Sequence, residues 1–206
     1  MPRVSRKQAD LNREAITRAA ARLYRERGFD GVGIPEITQA AGLTHGSFYG
    51  HFDSKGALAA EATMSAFQAG FVRWEQRREG AASAGAAREG FIVGYLSRRN
   101  RDTPGEACPM AALAGDVGRL PANAPVRKAF TDGVAVILDK LVSVQAPGEA
   151  GAVEQKALTD LAALVGALIL ARATLGSELS EKFLSGVSAE LRTLQPSPAD
   201  GRKKEE

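Results

Sequence analysis

Between Thr44 and Lys55 the chain gathers hydroxyls, imidazoles, a phenol and an ammonium: Thr44, His45, Ser47, Tyr49, His51 and Lys55. These are the groups that hydrogen-bond phosphate oxygens and base edges. The only two histidines, His45 and His51, both fall here, so no histidine remains for an acid–base or metal set elsewhere. No Gly-rich phosphate loop, metal-spaced His/Cys/Glu set or nucleophile elbow appears, and the chain is expected to be no enzyme and to need no cofactor. A carboxylate-only active site is marked by nothing. The one other chemically distinctive residue is Cys108, just before Pro109 at an expected helix start. There the helix dipole lowers a thiol pKa, and Arg98, Arg99 and Arg101 push the same way if they are close in space. The plainer reading of Cys108 is a small residue filling a helix start.

The polar set needs a scaffold, and the surrounding residues supply one. Pro35 belongs in a first helical turn, Glu36 suits that end of the dipole, and Ile37, Ala40 and Ala41 follow at helical spacing. Gly42 ends this helix as a left-handed residue, with Leu43 tucked under the turn. A second helix, roughly Gly46 to Phe52, places Phe48 and Phe52 on one buried face and leaves the polar groups outward. Asp53 or Ser54 then caps a long helix whose first turn holds Lys55, well placed for a phosphate. Two short helices with a tight turn, the second polar on its outer face, read as a helix-turn-helix.

The run GIPEITQAAGLTHGSFYGHFDSKGAL resembles the signature of the TetR family of transcriptional regulators, and RAAARLYRERGFDGVG before it resembles that family's first helix and Gly-Phe connection. The resemblance covers about the first quarter of the chain. It implies an all-α fold, with an N-terminal three-helix DNA-binding domain (1–53) containing the helix-turn-helix. A larger C-terminal helical domain for ligand binding and dimerisation (54–194) would follow, and then a disordered tail (195–206). Carried across residue by residue, it places Thr44, His45, Gly46, Ser47, Tyr49, His51 and Lys55 on DNA-contact positions. Two departures stand out. Gly33 occupies a position where the family usually has a capping, phosphate-binding Thr or Ser, and Gly50 replaces a larger contact residue. None of the outward residues is the bidentate arginine that reads guanine best, so backbone contacts and DNA shape share the specificity.

The same resemblance implies a repressor that a small molecule releases from a palindromic operator, with the effector between the later helices. Phe67, Phe71, Trp74, Phe91, Tyr95, Cys108, Met110, Leu113, Phe130 and Val134 are the expected lining, about half of them plain core. An apolar lining favours a hydrophobic or aromatic effector, or an electrophile if Cys108 reacts. The alternatives are a DNA-binding regulator that needs no ligand and, less favoured, a small all-α enzyme.

Composition fits this outline. The chain has 206 residues, 44% hydrophobic and 25% charged, with a net charge of +3. From Met1 to Arg27, eight basic residues stand against three acidic ones, a basic arm and helix that phosphates attract. One cysteine excludes an intrachain disulfide and fits a reducing compartment. With neither an 18-residue apolar run nor a signal-peptide core, the protein is expected to be cytoplasmic and off the membrane.

The first helix is expected from Asp10 to Arg27, and a long one from Ser54 to Arg78. Others are expected from Ala86 to Arg99, from Cys108-Pro109 to Leu120, and from Ala124 to Val144, with a polar loop from Asn100 to Ala107. Val153 to Leu175 is apolar nearly all round and interleaved with small residues, so it must be covered on more than one side. With a last helix from Glu181 to Leu194, it is expected to join two copies as a homodimer. Lys55→Ala should weaken binding to all duplex sequences alike, whereas Ser47→Ala or His45→Ala should change which operator is preferred, as measured by gel shift. Unchanged affinity of a Tyr49→Ala, Lys55→Ala double mutant would contradict the placement.

Overall fold

The computed structural model describes residues 5–193. The expected disordered tail (195–206) and the first residues of the basic arm lie outside the described residues. The fold is all-α. Helix α1 (Arg6–Arg27) starts on Ser5, whose Oγ accepts from the Gln8 N–H at 3.2 Å. It ends at Gly28, where φ is +75° and the N–H returns to the Tyr24 carbonyl at 2.8 Å. Helix α2 (Ile34–Ala40) carries Pro35 in its first turn, and Gly33 gives it no side-chain cap. It closes with Gly42 at φ +72°, Gly42 N–H on Gln39 O and Leu43 N–H on Thr38 O, the pair of bonds of a Schellman turn.

The segment expected to be an α-helix from Gly46 to Phe52 is instead a 3-10 helix, His45–Gly50. In so short a segment the two windings differ little, and the tighter one goes with the packing of Phe48 and Phe52 in the core beneath it. Its last bonds are mixed: His51 N–H and Phe52 N–H share the Phe48 carbonyl, at 2.9 and 3.0 Å. Helix α3 (Lys55–Glu79) then starts on Ser54, whose Oγ accepts from Ala57 N–H at 3.0 Å.

Helix α4 (Ala84–Tyr95) ends earlier than expected, because Ser97 caps a new short helix, α5 (Arg98–Asp102). A 3-10 turn, Pro104–Glu106, leads into α6 (Pro109–Arg119), with Cys108 at the N-cap. The polar stretch 100–107 is therefore largely helical. Helices α7 (Pro125–Val142), α8 (Ala150–Ala173) and α9 (Glu178–Thr193) complete the chain. No helix among the described residues is long and apolar enough to cross a membrane.

Two hydrophobic cores form. One joins Ile16, Tyr24, Phe29, Ile37, Phe48 and Phe52 to Leu58, Ala62 and Ala66 of α3, and also to Leu113 and Val117 of α6. The other joins Phe67 and Trp74 of α3 to Phe91, Ile137, Leu141, Leu164, Leu168 and Leu184. Helix α3 belongs to both. Where α3 crosses α7, Gly133 lies against the Phe67 ring so closely that a Cβ would collide with it.

A buried ion pair clamps the far end. Arg88 of α4 reaches Asp160 of α8 at 2.6 Å and the Leu191 carbonyl of α9 at 2.9 Å. Burial would raise the Asp160 carboxyl, but Lys156, Arg88 and Gln145 outweigh it and hold it below the usual carboxylate value. Asp160→Ala leaves Arg88 buried and short of an acceptor, and should cost about 3–5 kcal/mol in urea denaturation. Arg88→Met with Asp160→Leu should recover most of that loss; a double mutant no more stable than Asp160→Ala would contradict this assignment.

Candidate functional site

The surface expected to meet DNA is set by two aromatic rings turned inward. Phe48 and Phe52 are buried and stacked, their centroids 5.7 Å apart. That pins the backbone and leaves Thr44, His45, Gly46 and Tyr49 exposed, with Ser47, His51 and Lys55 half-buried. Tyr49 is 65% exposed, and its ring meets His45 edge to face at 5.5 Å. The Thr44 and Ser47 hydroxyls are 3.0 Å apart. All seven residues thus lie on one continuous stretch at the end of the first core. A side chain at Gly50 would meet nothing within 4 Å, so the surface there is open.

Arg13 holds this stretch in place. Its guanidinium pairs with Glu61 of α3, donates to the His51 carbonyl and lies 4.3 Å over the Phe52 ring; Thr17 donates to the same carboxylate at 2.9 Å. Other charges of the basic first helix are spent similarly. Arg18 faces Glu14, Arg22 faces Glu26, Arg27 pairs with Glu36, and Arg25 donates to the Ala21 and Ala107 carbonyls. The basic excess of α1 is mostly internal strutting, so it offers phosphate less than the residue count suggests.

The second feature is a cavity of about 250 Å³ between α3, α4, α7 and the 97–110 segment. Of the ten residues expected to line it, Phe67, Phe91, Tyr95, Cys108 and Met110 do so. The other five are elsewhere. Leu113 belongs to the first core, Trp74 is buried against Phe91 at 4.7 Å, and Phe130 packs edge-on against Phe67 at 5.7 Å. Phe71 and Val134 pack beside the second core. Nor is the lining as poor in charge as expected. Arg73, Arg77, Arg99 and Glu106 stand at its rim, with Gly70, Gly94, Ser97, Asn100 and Thr103. A signal was present: Gly70, Arg73 and Arg77 share one helical face beside the aromatic stripe of α3.

Cys108 does not have the expected thiol environment. Burial raises its pKa above the ordinary thiol value, against the opposing pull of Met110 N–H, Tyr95, Arg172 and Arg25. Arg98 and Arg101 are taken up by Glu181 of α9, Arg101 also by Asp102 and Ser180, so they do not activate the thiol.

The cavity wall also touches the first core. Arg25 of α1 donates to the Ala107 carbonyl at 2.8 Å, and Phe29 N–H donates to Asp116 of α6 at 3.1 Å. Gly28 is needed there, since a Cβ on it would strike the Asp116 carboxylate. Gly105 likewise sits so close to Arg22 and Glu26 that a Cβ there would push those two side chains aside.

Residues 16–62 match the model of the family described as bacterial regulatory proteins, tetR family. The HTH-type transcriptional regulator AcrR of Shigella flexneri is 36% identical over 61 residues, 30% of this chain and 28% of that protein. The HTH-type transcriptional repressor DhaR of Mycobacterium sp. (strain GP1) is 34% identical over 55 residues, 27% of this chain and 28% of the relative. The matched stretch therefore spans little more than a quarter of either relative. Over the whole chain the likeness is one of fold. The reduced form of E. coli NemR gives a TM-score of 0.76 at 22% identity, over 91% of this chain and 99% of that one. A TetR transcriptional regulator from Legionella pneumophila gives 0.76 at 19%, over 95% and 100%.

In iodoacetamide labelling at neutral pH, folded Cys108 should react more slowly than the same thiol in denaturing urea, and faster as the pH rises past the free-thiol range. Equal neutral-pH rates would contradict a raised thiol pKa.

Proposed function

We propose that the chain is a regulator of the TetR family, a homodimeric repressor released from a palindromic operator by a small-molecule effector; the match of residues 16–62 and the fold support this reading. The protein acts in the cytoplasm, where the operator is. The observation that carries this reading is the shared wall. The segment Thr103–Met110 lines the cavity, while Ala107 and Asp116 hold the end of α1, and α3 runs from the cavity to Lys55. An effector that repacks the wall displaces both supports of the recognition stretch. A coupling of about 1–3 kcal/mol between the sites changes operator affinity roughly 5- to 150-fold.

In this reading Lys55, Tyr49 and His51 hold phosphates, and Thr44, His45 and Ser47 meet base edges, with Gly46 allowing close approach. The partner is a second copy. Helix α8 leaves Leu158, Ala162, Ile169 and Ala173 exposed at helical spacing, and Leu179 of α9 continues that apolar face. Gly166 in its middle has nothing within 4 Å of a Cβ, which leaves room for a close helix crossing. A cavity of this size beside the wall favours a ligand-responsive regulator over a ligand-independent one.

Fragments captured from genomic DNA by the purified protein should contain an inverted repeat and bind in fluorescence anisotropy. Ile169→Glu should split the dimer in sedimentation velocity and weaken operator binding about 10²-fold or more, because each half-site then binds alone. A monomeric wild type, or an Ile169→Glu variant with full operator affinity, would contradict the dimer.

A further inference from the structure

Two features of the cavity have no use in a purely apolar pocket. The first is unbalanced charge. Three guanidinium groups, from Arg73, Arg77 and Arg99, share the rim with one carboxylate, Glu106. Arg99 takes that carboxylate at 3.4 Å, and Arg73 reaches only the Glu106 carbonyl, also at 3.4 Å. Arg77 has no hydrogen-bond or ion-pair partner among the described residues. Its guanidinium lies across Gly94, with Nη2 3.0 Å from where a Cβ would stand.

These cations feel one another. Burial and then Arg77 lower the Arg73 pKa, and burial and then Arg73 pull Arg25 down to about 10. An anion placed beside Arg73 and Arg77 would relieve their mutual repulsion. The second feature is Tyr95. It lines the cavity and is 5% exposed, and its hydroxyl has no nitrogen or oxygen partner, only the Cys108 thiol beside it, a weak acceptor. A buried hydroxyl left with so weak an acceptor is better satisfied by an oxygen.

We propose that the effector is a monocyclic aromatic carboxylate, its carboxylate held by Arg77 and Arg73 and its ring lying on Phe91 and Met110. The Tyr95 hydroxyl donates to a ligand oxygen. At about 250 Å³ the cavity falls just below the usual range for drug-sized ligands, ~300–1,000 Å³, which suits one ring and not several. This inference rests on the effector-binding part of the proposed function and narrows its chemistry.

The test is calorimetric titration of the full-length dimer with benzoate, 4-hydroxybenzoate, their neutral amides and acetate, with operator anisotropy measured in parallel. The carboxylates should bind about tenfold or more tighter than the amides, as charge-assisted bonds exceed neutral ones. Arg77→Gln with Arg73→Gln should remove that preference and leave the amides' affinity unchanged. Tyr95→Phe should weaken 4-hydroxybenzoate without lowering the melting temperature, which separates a ligand contact from a structural one. Amides binding as well as carboxylates, acetate binding as tightly as benzoate, or no binding by any ring compound would overturn the inference. If neutral compounds bind and release DNA, the regulator reading survives and the anion does not. If carboxylates bind with the expected preference but operator affinity is unchanged, the ligand chemistry stands and the effector role falls.

Discussion

Helix α3 is a single rod shared by two cores, and most of the molecule's behaviour follows from that. Its 25 residues span about 37 Å at the α-helical rise. Leu58, Ala62 and Ala66 are packed beneath the recognition stretch, while Phe67 and Trp74, a turn or two further on, are packed beside the cavity. A packed helix does not bend freely along its length, so movement at the Phe67 end is felt at the Lys55 end. The contacts of α1 with Ala107 and Asp116 form a second, parallel support. The proposed coupling between cavity and recognition stretch would act through these two supports.

Arginine does much of the fastening between elements. Arg13 ties α1 to α3 and to the His51 carbonyl, Arg88 ties α4 to α8 and α9, and Arg172 ties α8 to the Asn100 and Arg101 carbonyls. Each guanidinium satisfies several acceptors at once, which suits a helical bundle whose connecting segments end in unpaired carbonyls. It also explains why counting charge along the first helix overstates its appeal to phosphate. Arg77, at the cavity rim, is an exception, with no such partner among the described residues.

The recognition element was legible because its determinants are local. Pro35, Gly42, Ser54 and the Phe48–Phe52 pair each dictate a turn, a cap or a buried face within a few residues, and the structure uses all of them in that way. Its 3-10 winding was not legible, because the choice between two tight helices in six residues depends on the core beneath. The cavity was half legible. Aromatic spacing found Phe67, Phe91 and Tyr95, but whether an apolar side chain faces a void or a neighbour is settled by helices far apart in sequence. Leu113 shows this: its pattern is that of any core leucine, and α6 places it in the first core. The Cys108 thiol misled for the same reason, since the burial that raises its pKa comes from packing across the bundle.

The central claim is that two copies of the Thr44–Lys55 surface lie together on one face of duplex DNA. Hydroxyl-radical footprinting of the protein on a captured fragment tests it most directly. The account predicts two protected patches on the same face of the duplex, with centres about 34–36 Å or a multiple of that apart. A single unpaired patch, or uniform protection with no symmetry between the strands, would contradict it.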